Sequence, residues 1–176
     1  PIVVLVAGTN GKGSTCEYLS EFGIRNGLKV GKSTSPHFFE FNERIQIDNE
    51  PLADEKIISA FKLIEERRGA ISLTYFEFSA LAAMVCFLWE RVDVAILEIG
   101  LGGRLDAMNI VEPDLSIITS IALDHEAWLG NTRNEIGREK AGIMRAGKVC
   151  ILGDTDPPQT IIGYADQLGA PLLRLG

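Results

Sequence analysis

The sequence has few cysteines, no apolar run long enough for a bilayer and fewer basic than acidic residues, and each shortage removes a class of protein. Cys16, Cys86 and Cys150 are odd in number, far apart and set among apolar neighbours. That pattern fits reduced core thiols better than a disulfide framework or a zinc site. The longest apolar stretch, around Leu81 to Trp89, is too short to span hydrocarbon. The start lacks the charged flank, apolar centre and cleavage site of a signal peptide. A soluble, cytoplasmic protein with no membrane partner is expected. With 17 Lys and Arg against 24 Asp and Glu, the net charge of −7 argues against a broad nucleic-acid surface, although a local anion site remains open. Repeats, low-complexity tracts and internal linkers are also missing. So is an initiating Met: Pro1 opens directly in a strand pattern, and PLLRLG at the other end reads as a strand cut off at its turn. The chain is therefore expected to be a piece of a longer protein.

What remains is 176 residues, 46% of them apolar, enough to bury a core as one α/β domain. IVVLVAG reads as a strand buried on both faces, and Cys16, Leu19 and Phe22 then recur at helical spacing before Gly23. VGKSTSPH suggests a short second strand ending in polar residues. Ile45 and Ile47 alternate before Asp48-Asn49, which predicts a hairpin. From Asp54, read as an N-cap, Ile57, Ile58, Phe61 and Ile64 form a helical stripe that stops at Gly69. Thr74 to Arg91 is apolar nearly all round and predicts a buried helix. DVAILEIG and DLSIITSIALDH read as strands. They are followed by a helix over about Thr132 to Arg145, a strand VCILG, a helix after Pro158 and a final strand. This alternation implies a mostly parallel sheet with helices on both sides.

In such a sheet ligands bind beyond the carboxyl ends of the strands, where helix N-termini expose unpaired N–H groups. GTNGKGS sits at that junction. Glycine lets the backbone approach phosphate oxygens, and Lys12 can set a charge against them; a plain glycine-rich turn with a solvated lysine is the bland alternative. The match to the general phosphate-loop formula is imperfect, since Val6 stands where it wants a glycine and Gly13 where it wants a hydroxyl. The dinucleotide fingerprint fits worse in glycine spacing, and strand two ends in Ser33-Thr34-Ser35 instead of an acid. A nucleoside triphosphate is preferred to NAD.

Ser35 after strand two, Glu98 closing DVAILE, and Asp124-His125 after IITSIAL all fall at strand ends. If the strands are parallel, these groups converge near Lys12 as a set suited to Mg²⁺ on phosphate. Singly, Glu98 could be a polar edge residue and His125 a loop residue or helix cap. Thr74 and Glu77 have the spacing of a capping box, which is a sufficient structural reason for both. GLGGRLDAMN suggests a ligand-facing loop. Lys140 reads as a solvated helix lysine.

GTNGKGS, TSPH, LTYFEF, LEIGLGGRLDAMN, TSIALDH and GREKAGI, in this order, closely resemble the folylpolyglutamate synthase and dihydrofolate synthase family of the Mur-ligase superfamily. ISLTYFE and DHEAWLG resemble its bifunctional bacterial members. The resemblance implies an α/β fold with a mostly parallel sheet flanked by helices, the P-loop-type central domain of a Mur-like ligase. Residues 1–176 would be this ATP-binding domain, with the N-terminal segment and the C-terminal glutamate-ligase domain lying outside it. Thr9, Asn10, Gly11, Lys12, Gly13 and Ser14 match the ATP phosphate loop. Ser35 and Glu98 match ligands of one Mg²⁺ and His125 a ligand of a second. Lys140 matches a lysine carried as a carbamate, and with Lys12 and His125 completes the implied catalytic set. Thr74, Tyr75, Phe76, Glu77, Leu105, Asp106 and Ala107 match pterin-contacting segments, whereas Met108 stands where relatives commonly have Thr. The implied reaction is ATP-dependent amide formation between dihydropteroate or a reduced folate and L-glutamate through an acyl phosphate, by a monomer. The alternatives are a cell-wall Mur-type ligase, a small-molecule kinase and a noncatalytic nucleotide-binding module.

Overall fold

Runs of β-branched and aliphatic residues alternate with helical segments along the chain, and in the computed structural model, described here for residues 1–175, each run becomes a strand of one sheet. In chain order the elements are β1 (Ile2–Ala7), α1 (Lys12–Arg25), β2 (Val30–Ser33), β3 (Ile45–Ile47), β4 (Glu50–Pro51), α2 (Asp54–Arg68), α3 (Tyr75–Glu90) and β5 (Val94–Glu98). They continue with β6 (Leu115–Ile118), α4 (Glu126–Leu129), α5 (Arg133–Ala141), β7 (Val149–Leu152), α6 (Gln159–Leu168) and β8 (Leu172–Arg174). Short 3₁₀ turns cover Phe41–Arg44 and Ala107–Ile110. The strand order is β4-β3-β2-β5-β1-β6-β7-β8. All pairings from β2 through β8 are parallel, whereas β3 and β4 add an antiparallel hairpin at one edge. That hairpin turns at Asp48 and Asn49, both at left-handed φ (52° and 64°), as the sequence pattern predicts. Gly176, the last residue of the predicted final strand, lies outside the described residues.

β1 is central, and its side chains alternate between two cores. Leu5 and Ala7 join the larger cluster with residues of α2, α3, α5 and α6, whereas Val4 and Val6 pack with Cys16 of α1. The helices therefore cover the two faces unequally. Cys16, Cys86 and Cys150 are buried free thiols, and burial pushes the last two up to about 11, which makes them inert packing groups as expected.

Several sequence-based expectations are corrected. Phe22 is 70% exposed, because α1 buries Cys16 and turns its next face outward. Ile58 is 48% exposed: α2 buries Ile57, Ala60 and Ile64, so the stripe passes through an alanine. The N-cap of α2 is Ala53, with Asp54 already helical in the first turn, where its charge suits the dipole. α3 is not buried all round, since Tyr75, Leu88 and Trp89 face outward. The strand read over DLSIITSIALDH stops at Ile118, and α5 stops at Ala141. Residues 119–125 instead form a loop, and that loop shapes the site.

Candidate phosphate and substrate site

The carboxyl ends of β1, β2, β5 and β6 meet on one edge, because these four strands are parallel neighbours in the sheet. The chain leaving β1 is pinned to the chain leaving β6. Gly8 adopts φ 149°, and a Cβ there would fall 1.8 Å from Thr119 Oγ1, so only glycine allows this approach. Thr9 N–H donates to Ser120 O at 2.8 Å. Thr9 Oγ1 donates to Ala122 O at 3.2 Å and accepts Ala122 N–H at 3.0 Å. Asn10 O accepts the Thr119 hydroxyl at 2.6 Å. Gly11, in the left-handed region at φ 82°, then caps α1 without any side-chain acceptor, and the first turn holds no acid. The first N–H groups of a 14-residue helix thus point their positive dipole end out of the sheet edge.

Two lysines converge on this loop. Lys12 Nζ curls back to Gly8 O at 3.1 Å and Thr9 O at 3.4 Å. Lys140, on α5, donates from Nζ to the same Gly8 O at 3.0 Å. It is only 4% exposed, which corrects its reading as a solvated helix lysine. Burial, and then the Lys12 charge, push its amine down to about 8, with Asp124 pulling the other way.

Glu98 closes β5 and is 5% exposed. Its Oε2 accepts the Ser35 N–H at 2.9 Å, and its Oε1 faces Gly13 at the start of α1. Burial raises its carboxyl above the ordinary range, against the lowering effects of the Ser35 N–H and of Lys12. Asn10, Gly11, Gly13, Ser14, Ser35 and Glu98 line one cavity of about 740 Å³. Among the described residues no cluster of three or more His, Cys, Asp or Glu could hold a metal. Ser35 and Glu98 nevertheless have donor chemistry that would suit Mg²⁺, which keeps several waters and takes phosphate oxygens, since Glu98 is a buried carboxylate facing the glycine-rich loop. His125 lies apart from this cavity's lining: it sits at φ 49° before α4, exposed, with its ring near Asp124 at 3.7 Å.

A second pocket, of about 600 Å³, gathers Thr74, Tyr75, Phe76, Glu77, Leu105, Asp106 and Ala107. Thr74 and Glu77 form the capping box in full, with Thr74 N–H to Glu77 Oε2 at 2.7 Å and Glu77 N–H to Thr74 Oγ1 at 3.2 Å. The cap therefore fixes the pocket wall instead of competing with it. Asp106 accepts the N–H groups of Leu101 and Met108, each at 2.9 Å, while burial raises its carboxyl. Met108 is buried in the core. Arg44 also lines this pocket, and nothing in its local sequence singles it out; Trp128, inside the DHEAWLG stretch that carries part of the resemblance but given no role there, stands at the rim. Thr119 and Ser120, which pin the glycine-rich loop, were hidden inside an apparent strand. The two cavities share Ser35 and Pro36 as a common wall.

No family model matches the chain. The dihydrofolate synthase/folylpolyglutamate synthase of Escherichia coli (strain K12) is 49% identical over 176 residues, 100% of this chain and 42% of that protein. The structure of E. coli FolC in complex with DHPP and ADP superposes with a TM-score of 0.98 at 49% identity, covering 99% of this chain and 42% of that one. A bifunctional folylpolyglutamate synthase/dihydrofolate synthase with Mn, AMPPNP and L-glutamate bound gives a TM-score of 0.95 at 51% identity, over 99% of this chain and 43% of that one. The chain spans less than half the length of these relatives.

Proposed function

Because the chain belongs to the dihydrofolate synthase/folylpolyglutamate synthase family, we propose that it is the ATP-binding central part of an ATP-dependent ligase joining L-glutamate to dihydropteroate or a reduced folate. The observation that carries this reading is the common wall: Ser35 and Pro36 border both the phosphate-loop cavity and the substrate pocket, so a carboxylate lodged in one faces a triphosphate lodged in the other.

The uncapped start of α1 and the backbone of Thr9 to Ser14 would take the phosphates. Lys12 would swing from the Gly8 carbonyl to the transferring phosphoryl group. Ser35 and Glu98 would hold one Mg²⁺ and His125 a second; when bound, these ions offset charge on the phosphate oxygens. An amine lowered to about 8 is neutral more often than an ordinary lysine, which suits Lys140 to accept carbon dioxide as a carbamate. The substrate carboxylate would attack the γ-phosphate, releasing ADP and giving an acyl phosphate. The glutamate amine would then displace inorganic phosphate to leave the amide. Positioning and charge do the work here, and no side chain becomes a nucleophile.

Thr74, Tyr75, Phe76, Glu77, Leu105, Asp106 and Ala107 would contact the pterin. The protein is expected to be cytoplasmic and monomeric; among the described residues no helix is long and apolar enough to cross a membrane. We assign the glutamate-ligase domain and an N-terminal substrate segment to the part of the relatives outside this chain. The isolated chain should then bind MgATP without ligating. ADP release by the complete ligase with MgATP and L-glutamate tests the whole reading, with dihydropteroate, tetrahydrofolate or a muramyl nucleotide added separately. Release with the pterin substrates supports it; turnover with the muramyl nucleotide alone, or ligation by the isolated chain, would refute the corresponding part.

A further inference from the structure

Arg44 ends the 3₁₀ turn before β3, is half-buried, and among the described residues pairs with no carboxylate. Its neighbours are already committed. Glu43 spends both oxygens on the N–H groups of Phe38, Phe39 and Glu40, each at 2.8 Å, and the Glu40 side chain completes the capping box of the same turn. The guanidinium itself is held from two sides: Nε donates to His37 Nδ1 at 2.8 Å, and Cζ lies 5.4 Å from the centroid of the Tyr75 ring. Among the described residues neither Nη atom donates to a protein acceptor. A pre-oriented donor fork left unspent beside an aromatic wall, in a chain of net charge −7, is a receptor for a planar anion.

Its placement says which anion. Arg44 lines the pocket of Thr74 to Glu77 and Asp106, but not the phosphate-loop cavity on the far side of Ser35 and Pro36. The carboxylate that is phosphorylated must face the phosphate loop, so a cation on the near side serves a carboxylate that is not activated. Dihydropteroate has a single carboxylate. A folate has two on its glutamate, of which the γ-carboxylate reacts. We propose that Arg44 receives the α-carboxylate of a folyl substrate and so selects folates, and leaves the γ-carboxylate toward the nucleotide; this rests on the ligase reading above.

The test uses the complete ligase and ADP release with MgATP and L-glutamate, comparing tetrahydrofolate with dihydropteroate in wild type, Arg44→Gln and Arg44→Lys. The ratio of kcat/KM for tetrahydrofolate over dihydropteroate should fall at least about tenfold in Arg44→Gln, through KM for the folate, as expected for losing a charge-assisted pair. Arg44→Lys, which keeps the charge without the fork, should show a smaller fall. MgATP affinity reports whether each variant is folded, and should Arg44→Gln fail that control, Arg44→Lys decides. A ratio within about twofold of wild type, or a greater loss for dihydropteroate, overturns the role of Arg44 alone. Wild-type turnover of neither substrate sinks the ligase reading, and the inference with it.

Discussion

Lys12 and Lys140 place their ammonium nitrogens 3.1 and 3.0 Å from one acceptor, the carbonyl oxygen of Gly8. Burial, and then the charge of Lys12 beside it, make a charged Lys140 costly here. Its folded pKa of about 8 lies below the ordinary 10.5, so between those values the unfolded chain binds the extra proton. Stability contributed by Lys140 is therefore complete above about 10.5 and lost as pH falls through 8. In carbon-dioxide-free buffer, the advantage of Lys140→Met over wild type should be greatest near pH 7. It should shrink by up to about 3 kcal/mol toward pH 10.5. Urea unfolding across this range checks it, and a difference independent of pH would count against the buried-charge account.

The reciprocal bonds between Thr9 and Ala122 tie the phosphate loop to the loop after β6. Thr9→Val keeps the shape but leaves the Ala122 N–H unpaired, a loss of about 1–3 kcal/mol. MgATP affinity measured by calorimetry should fall roughly tenfold, and Thr9→Ser should restore most of it. Equal affinity in Thr9→Val and wild type would mean that the loop keeps its form without this tie.

Much of this edge was legible because strand-end chemistry needs no long-range information. Parallel strands carry Gly8 to Ser14, Ser35 and Glu98 to one side by topology alone, and reading alternation of strands and helices was enough to foresee their meeting. Lys140 was legible only through the family resemblance, and its own neighbourhood in the sequence read as a solvated helix. Its contact to Gly8 spans 132 residues, and a helix of nine residues with several charges offers no local sign that one of them is buried. Arg44 was silent, because its importance lies in neighbours already spent on backbone N–H groups. Phe22 and Ile58 misled for the opposite reason: apolar spacing marks a face, but the packed elements decide how wide that face is.

Glu98 should show opposite effects on stability and binding. Its folded pKa is raised above the ordinary 4.5, so the folded form holds its proton to higher pH and stability falls as pH rises through the folded value. Glu98→Gln removes that loss while its amide oxygen can still accept the Ser35 N–H. Without metal at pH 7, Tm should equal or exceed that of wild type. Stabilisation by MgATP should largely vanish. A variant that melts lower without metal, yet gains fully from MgATP, would mean that Glu98 is a structural acid and no Mg²⁺ ligand.

Gly142 offers a way to disturb the substrate pocket without touching the nucleotide side. It follows α5 in ordinary right-handed backbone, φ −62°, so an added Cβ brings no conformational strain. That Cβ would instead meet Arg104 Cβ at 2.5 Å and Arg104 Cα at 2.7 Å, and backbone cannot yield as a flexible side-chain end can. The loop carrying Leu105, Asp106 and Ala107 must then shift away from α5, at a cost of about 1–3 kcal/mol for overpacking. Gly142→Ala should raise KM for the pterin substrate several-fold more than KM for ATP, since residues of this loop line the 600 Å³ pocket and none lines the phosphate cavity. Gly163, inside α6 with no atom within 4 Å of its added Cβ, is the matched control. Gly163→Ala should stabilise by about 0.5–1 kcal/mol and leave both KM values alone. Equal rises in both KM values for Gly142→Ala would show that the two cavities move as one body, and the separation of substrate and nucleotide walls would have to be abandoned.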